Sequence, residues 1–314
     1  MKEITYIKAK SVSEAVSSLG AGKAVIAGGT DIYGYMKSMM SDNAPDTLVN
    51  IKAIPDMDYI KEEGGMLKVG ALAKLADIAS SSVVQSKYTA LAQAAHMVAS
   101  PELRNMGTIA GNICQYVRCW YYRAEMDAFP CLRKNPSGLC YALVADNRYH
   151  SIFGADSGCV AVNPSDIAPA LVVLGATIVT NSRNIAAEDF FAFNGEKTTV
   201  LADNEVVTEI QVPAPASGVK SAFVKMAERK SFDFAIVNCA AAIGGSSAKI
   251  CLNGVSSKPR RVTAAEESIA GKAINAANAE TAANALSGTV ALPNNKYKIQ
   301  IAKAMIKRAI LGCA

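Results

Sequence analysis

Cysteine and glycine carry most of the chemistry available to this sequence. Eight cysteines occur in 314 residues, and four of them, Cys119, Cys131, Cys140 and Cys159, share one stretch, separated by eleven, eight and eighteen residues. Cys114 stands just upstream, while Cys239, Cys251 and Cys313 lie far along the chain. Thiolates are soft ligands, so four of them in a region of reduced thiols suggest a metal ion or an iron–sulfur cluster. Structural zinc normally takes closely spaced cysteine pairs, and none is present here. Unrelated buried thiols are the plainer alternative. Only two histidines occur, His96 and His150, which removes Ser-His-Asp catalysis and multi-histidine metal sites from consideration.

Two glycine motifs point to a second chemistry. In Val25-Ile26-Ala27-Gly28-Gly29-Thr30-Asp31 a short apolar strand runs into two glycines, a hydroxyl and a carboxylate at the start of a helix near Thr30. Glycines let backbone N–H groups approach an anion, and a helix start adds unpaired N–H groups and a positive dipole end. That is phosphate-binding chemistry, although it matches neither a Walker loop nor G-x-G-x-x-G. Alone, a plain strand–turn–helix connection would look the same. The second motif is Arg104-Asn105-Met106-Gly107-Thr108-Ile109-Ala110-Gly111-Asn112-Ile113, read as a loop after a helix. A dinucleotide has two ends and a pyrophosphate, so two such loops from separate subdomains could clamp one. A tight turn with polar caps is the other reading of this second loop.

The elements that would position these residues follow from periodicity and punctuation. The opening predicts a strand over Thr5 to Lys8, a helix started by Ser11 and Glu14 and stopped by Gly20, and a strand over Ala24 to Ala27. Asp58 to Ala71 predicts two strands about Gly64-Gly65. Helices are expected over Ala73 to Ala79 and Ser82 to Val98, ended by Ser100-Pro101. Strands return after Val172, with Glu205 to Val212 the clearest, and Pro213 to Gly218 reads as a linker. Strands over Ala222 to Ala227, Ala235 to Ile243 and Ala248 to Leu252 precede a helical tail. Strands followed by helices, without strict alternation, indicate an α+β fold rather than a doubly wound sheet.

Composition bounds the setting. Hydrophobic residues make up 51% and charged residues 19%, enough for a packed core. The net charge of +5 is modest, and the Lys258, Arg260 and Arg261 cluster has no aromatic platform, so a solvated turn is expected there and no nucleic-acid partner. Ile167 to Val179, interrupted by Pro169 and Gly175, is too short to span a membrane, for which ~18 apolar residues are needed. Met1-Lys2-Glu3-Ile4 opens without an apolar signal segment, and a cytoplasmic location is expected.

The two glycine motifs, about eighty residues apart, resemble the FAD-binding subunit shared by xanthine dehydrogenase, carbon monoxide dehydrogenase and 4-hydroxybenzoyl-CoA reductase. The resemblance continues through Asn163-Pro164-Ser165-Asp166-Ile167-Ala168-Pro169-Ala170-Leu171, Lys225-Met226-Ala227-Glu228-Arg229 and Pro259-Arg260-Arg261 into the tail. It implies a two-subdomain FAD-binding domain of vanillyl-alcohol-oxidase type over residues 1–215, with subdomains of about 1–57 and 58–215, and a small α+β domain over 216–314. It makes Val25, Ile26, Ala27, Gly28, Gly29, Thr30 and Asp31, with Thr108, Ala110, Gly111 and Asn112, the pyrophosphate-binding loops, and adds Arg118 to the cofactor contacts. Asp166 becomes a partner for adenosine hydroxyls and Lys225 a neighbour of the isoalloxazine, where a cation favours the anionic reduced flavin. The family's second loop usually reads G-T-I-G-G-N; Ala110 here requires φ < 0 at that position.

One branch of this family, including 4-hydroxybenzoyl-CoA reductase and certain aldehyde oxidoreductases, carries an insertion that ligates an extra [4Fe–4S] cluster. The surroundings of Cys119, Cys131, Cys140 and Cys159, in an insertion of about 114–160, resemble it, with Cys119 preferred over Cys114 because Arg118-Cys119 is followed by aromatics. Trp120, Tyr121, Tyr122 and Phe129 then either surround the cluster or form ordinary core. The implied role is electron transfer within a complex containing a molybdopterin-binding large subunit and a [2Fe–2S] small subunit, with NAD or a ferredoxin as external acceptor or donor. A free-standing flavin oxidoreductase and a zinc-stabilised binding module are the competing expectations.

Overall fold

The computed structural model describes residues 3–314. A three-stranded parallel sheet has Thr47–Asn50 at its centre, flanked by Thr5–Lys8 and Lys23–Ile26. Parallel neighbours need a crossover, and the helix Val12–Ser18 provides part of it. Its N-cap Ser11 accepts the Glu14 N–H at 3.1 Å, while the Glu14 carboxylate takes the N–H of Lys10 at 2.7 Å. This reciprocal arrangement resembles a capping box shifted by one residue on the returning bond.

A five-stranded antiparallel sheet follows, in the order Ile60–Glu63, Met66–Gly70, Val207–Pro213, Thr177–Thr180, Asn184–Ala186. Gly64 and Gly65, at φ 60° and 73°, form the tight turn of its first hairpin. The apolar segment Ile167 to Val179 divides into a fully buried helix, Ile167–Val173, and the start of a strand. Among the described residues no helix is long and apolar enough to cross a membrane.

The third sheet is antiparallel: Lys220–Met226, Val237–Gly244, Ser247–Asn253 and the short Arg260–Arg261. Helices Thr263–Ile269, Ala276–Asn284 and Tyr297–Leu311 pack on it. Tyr297–Leu311 buries Ala302, Met305, Ile306, Ala309 and Ile310, a 3.6-residue spacing that makes one apolar stripe. The whole is α+β, as the order of elements indicates.

Three local expectations need correction. Ser82 to Val98 is not one helix but two, Ser82–Lys87 and Thr89–His96, broken at Tyr88 (φ −122°, ψ 48°), whose ring is fully buried. No breaker residue announces this; burial of the tyrosine overrides helix propensity. Ser100-Pro101 starts a helix, Pro101–Met106, because proline tolerates the first helical position and the Ser100 hydroxyl accepts the Leu103 N–H at 3.4 Å. Finally, Thr108 to Asn112 is not an open loop. Thr108 caps a short helix, Ile109–Ile113.

Candidate cofactor site

The two glycine motifs meet. A Cβ on Gly28 would lie 2.2 Å from the backbone carbonyl oxygen of Met106, so only glycine lets the two segments touch. Gly29 takes φ +73°, a left-handed turn that aims the chain into the helix Ile32–Lys37. Among the described residues, the backbone N–H groups of Gly28, Gly29, Thr30, Asp31 and Ile32 donate to no protein acceptor. Their residues line a cavity of about 240 Å³, together with Val25 to Ala27, Thr108, Ala110, Gly111 and Cys114 to Tyr116. A run of free, converging N–H groups is an anion cradle.

The second motif plays a different part. The N–H groups of Ile109 and Ala110 bond to the carbonyls of Ala73 and Ala71 at 3.0 and 3.3 Å, and those of Gly111 and Asn112 bond to Thr108 itself. Four of its donors are therefore occupied, and Thr108, whose N–H donates to no protein acceptor, lines the cavity with Ala110 and Gly111. Ala110 lies in the helix, outside the positive-φ region, so the missing glycine costs nothing. Asn112 does not line the cavity; its Oδ1 accepts the buried Ser165 hydroxyl at 2.5 Å.

Asp31 is tied into the protein. Its Oδ1 lies 2.9 Å from Arg118 and 2.7 Å from Arg123, and its Oδ2 accepts the Tyr116 N–H at 2.8 Å. Two guanidiniums share one carboxylate, which leaves net positive charge beside the N–H cradle. Burial pushes Arg118 down to about 10, still protonated near neutrality. Its Nε is buried without a partner, and its guanidinium stacks 4.6 Å from the Phe234 ring.

Arg118 also lines a second cavity, of about 580 Å³, with Cys119, Trp120, Tyr149, His150, Asn163, Phe234 and Asn238. Four buried polar atoms without partners belong to residues of this wall: Arg118 Nε, His150 Nδ1, Asn163 Nδ2 and Asn238 Oδ1. Asp166 and Lys225 line neither cavity. They form a buried pair at 2.6 Å; the Asn238 amide donates to the other Asp166 oxygen at 2.6 Å, and Lys225 also donates to the Met97 carbonyl at 3.0 Å. Asp166 thus accepts from Lys225 on one oxygen and from Asn238 on the other, and so orients the Asn238 amide.

The cysteines sit on a segment with little regular structure. Between the helices Ile109–Ile113 and Ile167–Val173 there are only two short 3₁₀ turns, Glu125–Asp127 and Tyr141–Leu143. Even so, Cys119, Cys131, Cys140 and Cys159, all free thiols, are near enough for their charges to influence one another, Cys140 and Cys159 most strongly. Burial raises Cys119 and Cys131, whereas Cys159 is held well below the usual thiol range by its neighbour Cys140 and the nearby Arg133. Cys159 Sγ accepts the Arg133 Nε–H at 3.3 Å and the Ala161 N–H at 3.4 Å. His150 Nε2 lies 3.2 Å from Cys119 Sγ. Cys114 is apart, on the first cavity, and Cys239, Cys251 and Cys313 are buried with the C-terminal sheet. Among the described residues no group of three or more His, Cys, Asp or Glu closes around a single metal ion. Tyr122 is buried and Tyr121 packs with Phe129 and Tyr141, but Trp120 stays 43% exposed.

Residues 2–215 match the family described as the FAD binding domain in molybdopterin dehydrogenase, and residues 222–313 the CO dehydrogenase flavoprotein C-terminal domain. The chain belongs to the FAD-binding subunits of the molybdopterin dehydrogenase family. It is 33% identical over 278 residues to the aldehyde oxidoreductase FAD-binding subunit PaoB of Escherichia coli K12, covering 85% of this chain and 86% of that one. It is 29% identical to the carbon monoxide dehydrogenase medium chain of Hydrogenophaga pseudoflava, covering 97% and 95%. A solved structure of that organism's carbon monoxide dehydrogenase, lacking the Mo-pyranopterin moiety, superposes with a TM-score of 0.74 at 27% identity, covering 99% of this chain and 97% of that one.

For a FAD-binding subunit, the residues that motif reading passes over are informative. Arg123, the second cation on Asp31, Tyr116 on the cavity wall, and the two amides Asn163 and Asn238 carry no local pattern. Asn163 stood within the Asn163-Pro164-Ser165-Asp166 motif, where Asp166 drew the attention. The fold puts both amides, and not the Asp166 carboxylate, in the wall of the second cavity.

Proposed function

We propose that this flavin subunit binds one FAD across the two cavities, carries a [4Fe–4S] cluster on Cys119, Cys131, Cys140 and Cys159, and passes electrons for a molybdopterin-binding large subunit and a [2Fe–2S] small subunit. The observation that carries this reading is that Cys119 and Arg118, adjacent in sequence, line the same cavity, while Arg118 also reaches the glycine cradle through Asp31. Flavin and thiol sites are therefore neighbours.

The residues fit each group. The free N–H groups from Gly28 to Ile32 and the surplus guanidinium charge suit a pyrophosphate. An isoalloxazine presents both donors and acceptors along its pyrimidine edge, and two amides of the second cavity's wall, Asn163 and Asn238, each keep a buried polar atom without a protein partner, Nδ2 and Oδ1. Asp166 and Lys225 hold Asn238 in that orientation. Four thiols with N–H donors from Arg133 and Ala161 suit iron–sulfur ligation, which spreads its ligands wider than a single ion does. When bound, flavin exchanges electrons in pairs or singly and an iron–sulfur cluster singly. The chain's own contribution is to bind, orient and shield these groups. Phe234, itself half exposed, stacks on Arg118, and Tyr121, Phe129 and Tyr141 pack on one another along the cysteine segment.

The acids and bases on the second cavity's wall are already engaged within the protein: Glu228 accepts the Tyr149 hydroxyl at 2.8 Å, Asp233 pairs with Arg229 at 2.7 Å, and His150 Nε2 lies 3.2 Å from Cys119 Sγ, which favours an electron-transfer subunit serving NAD or a ferredoxin over a free-standing flavoenzyme. Purification from the native source tests this. The chain is expected to elute with two other subunit types, and the isolated chain to oxidise no organic substrate. Substrate turnover by the isolated chain at the rate of the native preparation overturns the reading.

A further inference from the structure

Among the described residues no carboxylate pairs with Arg133. Its side chain is buried, and its Nη1 donates to the carbonyls of Gly195, Glu196 and Lys197 at 2.8, 3.4 and 3.2 Å. Its Nε points to Cys159 Sγ, and its Nη2 is buried without any partner. The adjacent Lys134 is neutralised by Asp127 at 2.5 Å, and Arg123 by Asp31. The Glu196 carboxylate is taken up by Tyr35, Tyr122, Ser41 and Asn43 at 2.6 to 3.1 Å, so Arg133 meets that residue only through its carbonyl. A buried cation without an anion is strongly disfavoured, yet here it is pinned by the turn at 195–197 and stacked 4.7 Å from Phe193. The fold thus holds a positive charge against one thiol of the cysteine group and leaves one guanidinium nitrogen, Nη2, without a partner.

We propose that Arg133 is the counter-charge of the cluster and the positioning residue that sets its reduction potential. This rests on the cluster reading above. A thiolate-ligated [4Fe–4S] group is an anion in both redox states and gains one more negative charge on reduction. A fixed neighbouring cation and an N–H···S bond both favour the reduced form, and low dielectric strengthens the effect. Arg133 thereby keeps the cluster reducible within the reach of the flavin beside it.

The test uses the assembled complex, prepared anaerobically, with Arg133→Gln and Arg133→Lys. Iron and acid-labile sulfide are measured first, then the potential by redox titration followed by electron paramagnetic resonance. Arg133→Gln is expected to keep its iron and to shift the one-electron equilibrium at least tenfold toward the oxidised form, about 59 mV more negative. Arg133→Lys is expected to recover most of that shift. Arg148→Gln, removing an exposed cation near Trp120, should move the potential less because solvent screens it. An unchanged potential in Arg133→Gln, or equal shifts in the Lys and Gln variants, overturns the inference while leaving the cluster in place. Absence of iron from the native complex overturns the cluster reading itself. Where Arg133→Gln loses the cluster, Arg133→Lys decides: iron retained near the native potential supports the role, and iron lost or potential lowered contradicts it.

Discussion

The glycine cavity and the cysteine segment are neighbours held together by opposite means. The cavity is made from main chain. Gly28 packs on the Met106 carbonyl, the Thr108 helix is bonded back to Ala71 and Ala73, and regular strands or helices stand at either end. The cysteine segment has almost no backbone ladder and is fixed by long side chains from elsewhere. Arg133 reaches the turn at 195–197, Arg123 ties Val117 and Tyr116 to Asp31, and Asn295 and Lys298 hold the carbonyls of His150 and Ser151. A site of the first kind exists before its ligand arrives. One of the second kind gains order from whatever its thiols bind, because ligation free energy becomes folding free energy.

The sharpest break of this contrast is Gly28→Val. The added carbon meets backbone that cannot move aside, so the two motifs must separate. Loss of all flavin is expected, read by absorbance after denaturation, together with destabilisation of ~1–3 kcal/mol or more from overpacking. Gly29→Ala should be milder: its Cβ meets the Tyr33 ring, which can turn, and the left-handed backbone costs ~1–2 kcal/mol. Full flavin retention in Gly28→Val would show that the cavity does not depend on this contact.

Next in size is Arg118→Gln, which touches both regions. Charge-assisted hydrogen bonds are worth ~1.5–3 kcal/mol, so FAD affinity should fall roughly 10- to 100-fold by flavin fluorescence titration, with iron unchanged. Equal loss of iron would mean that the two sites are not separately built.

The smallest effect concerns the struts of the cysteine segment. Lys298 is fully buried, donating to the carbonyls of Tyr149, His150 and Gly254, and burial pushes it down to about 7 from 10.5. The unfolded chain therefore binds this proton more tightly between those values. Stability should rise with pH across that window, by at most about 1.4 kcal/mol per pH unit. Lys298→Met should flatten the rise in urea unfolding measured at pH 7 and pH 9. An identical slope in the variant would remove Lys298 from this role.

The same contrast explains what the sequence disclosed. The α+β order, the hairpin at Gly64-Gly65 and the strand ending at the Gly28 turn were readable because they rest on local rules: alternation, glycine turns and caps. The break at Tyr88 and the helical character of Thr108 to Asn112 were not, since tertiary burial and the bonds to Ala71 and Ala73 decide them. Among candidate site residues, Val25 to Asp31 line the cavity as a block, because they are contiguous. Asp166 and Lys225, which the family resemblance assigns to the flavin, form a buried ion pair with each other. Arg123, Arg133 and Lys298 act across long sequence separations, where no motif records their partners.

The central claim, a flavin site and a thiol-held cluster side by side in one chain, is tested most directly by stoichiometry. Flavin, iron and acid-labile sulfide are measured per chain on anaerobically prepared protein, for the native sequence and for Cys140→Ser and Cys114→Ser. Cys140 neighbours Cys159 in the thiol group, while Cys114 lines the glycine cavity. The expected result is one flavin with about four irons and four sulfides in the native chain and in Cys114→Ser, and flavin with little iron in Cys140→Ser, in keeping with four-cysteine ligation. Flavin without iron in the native chain, or iron lost from Cys114→Ser and kept in Cys140→Ser, would contradict it.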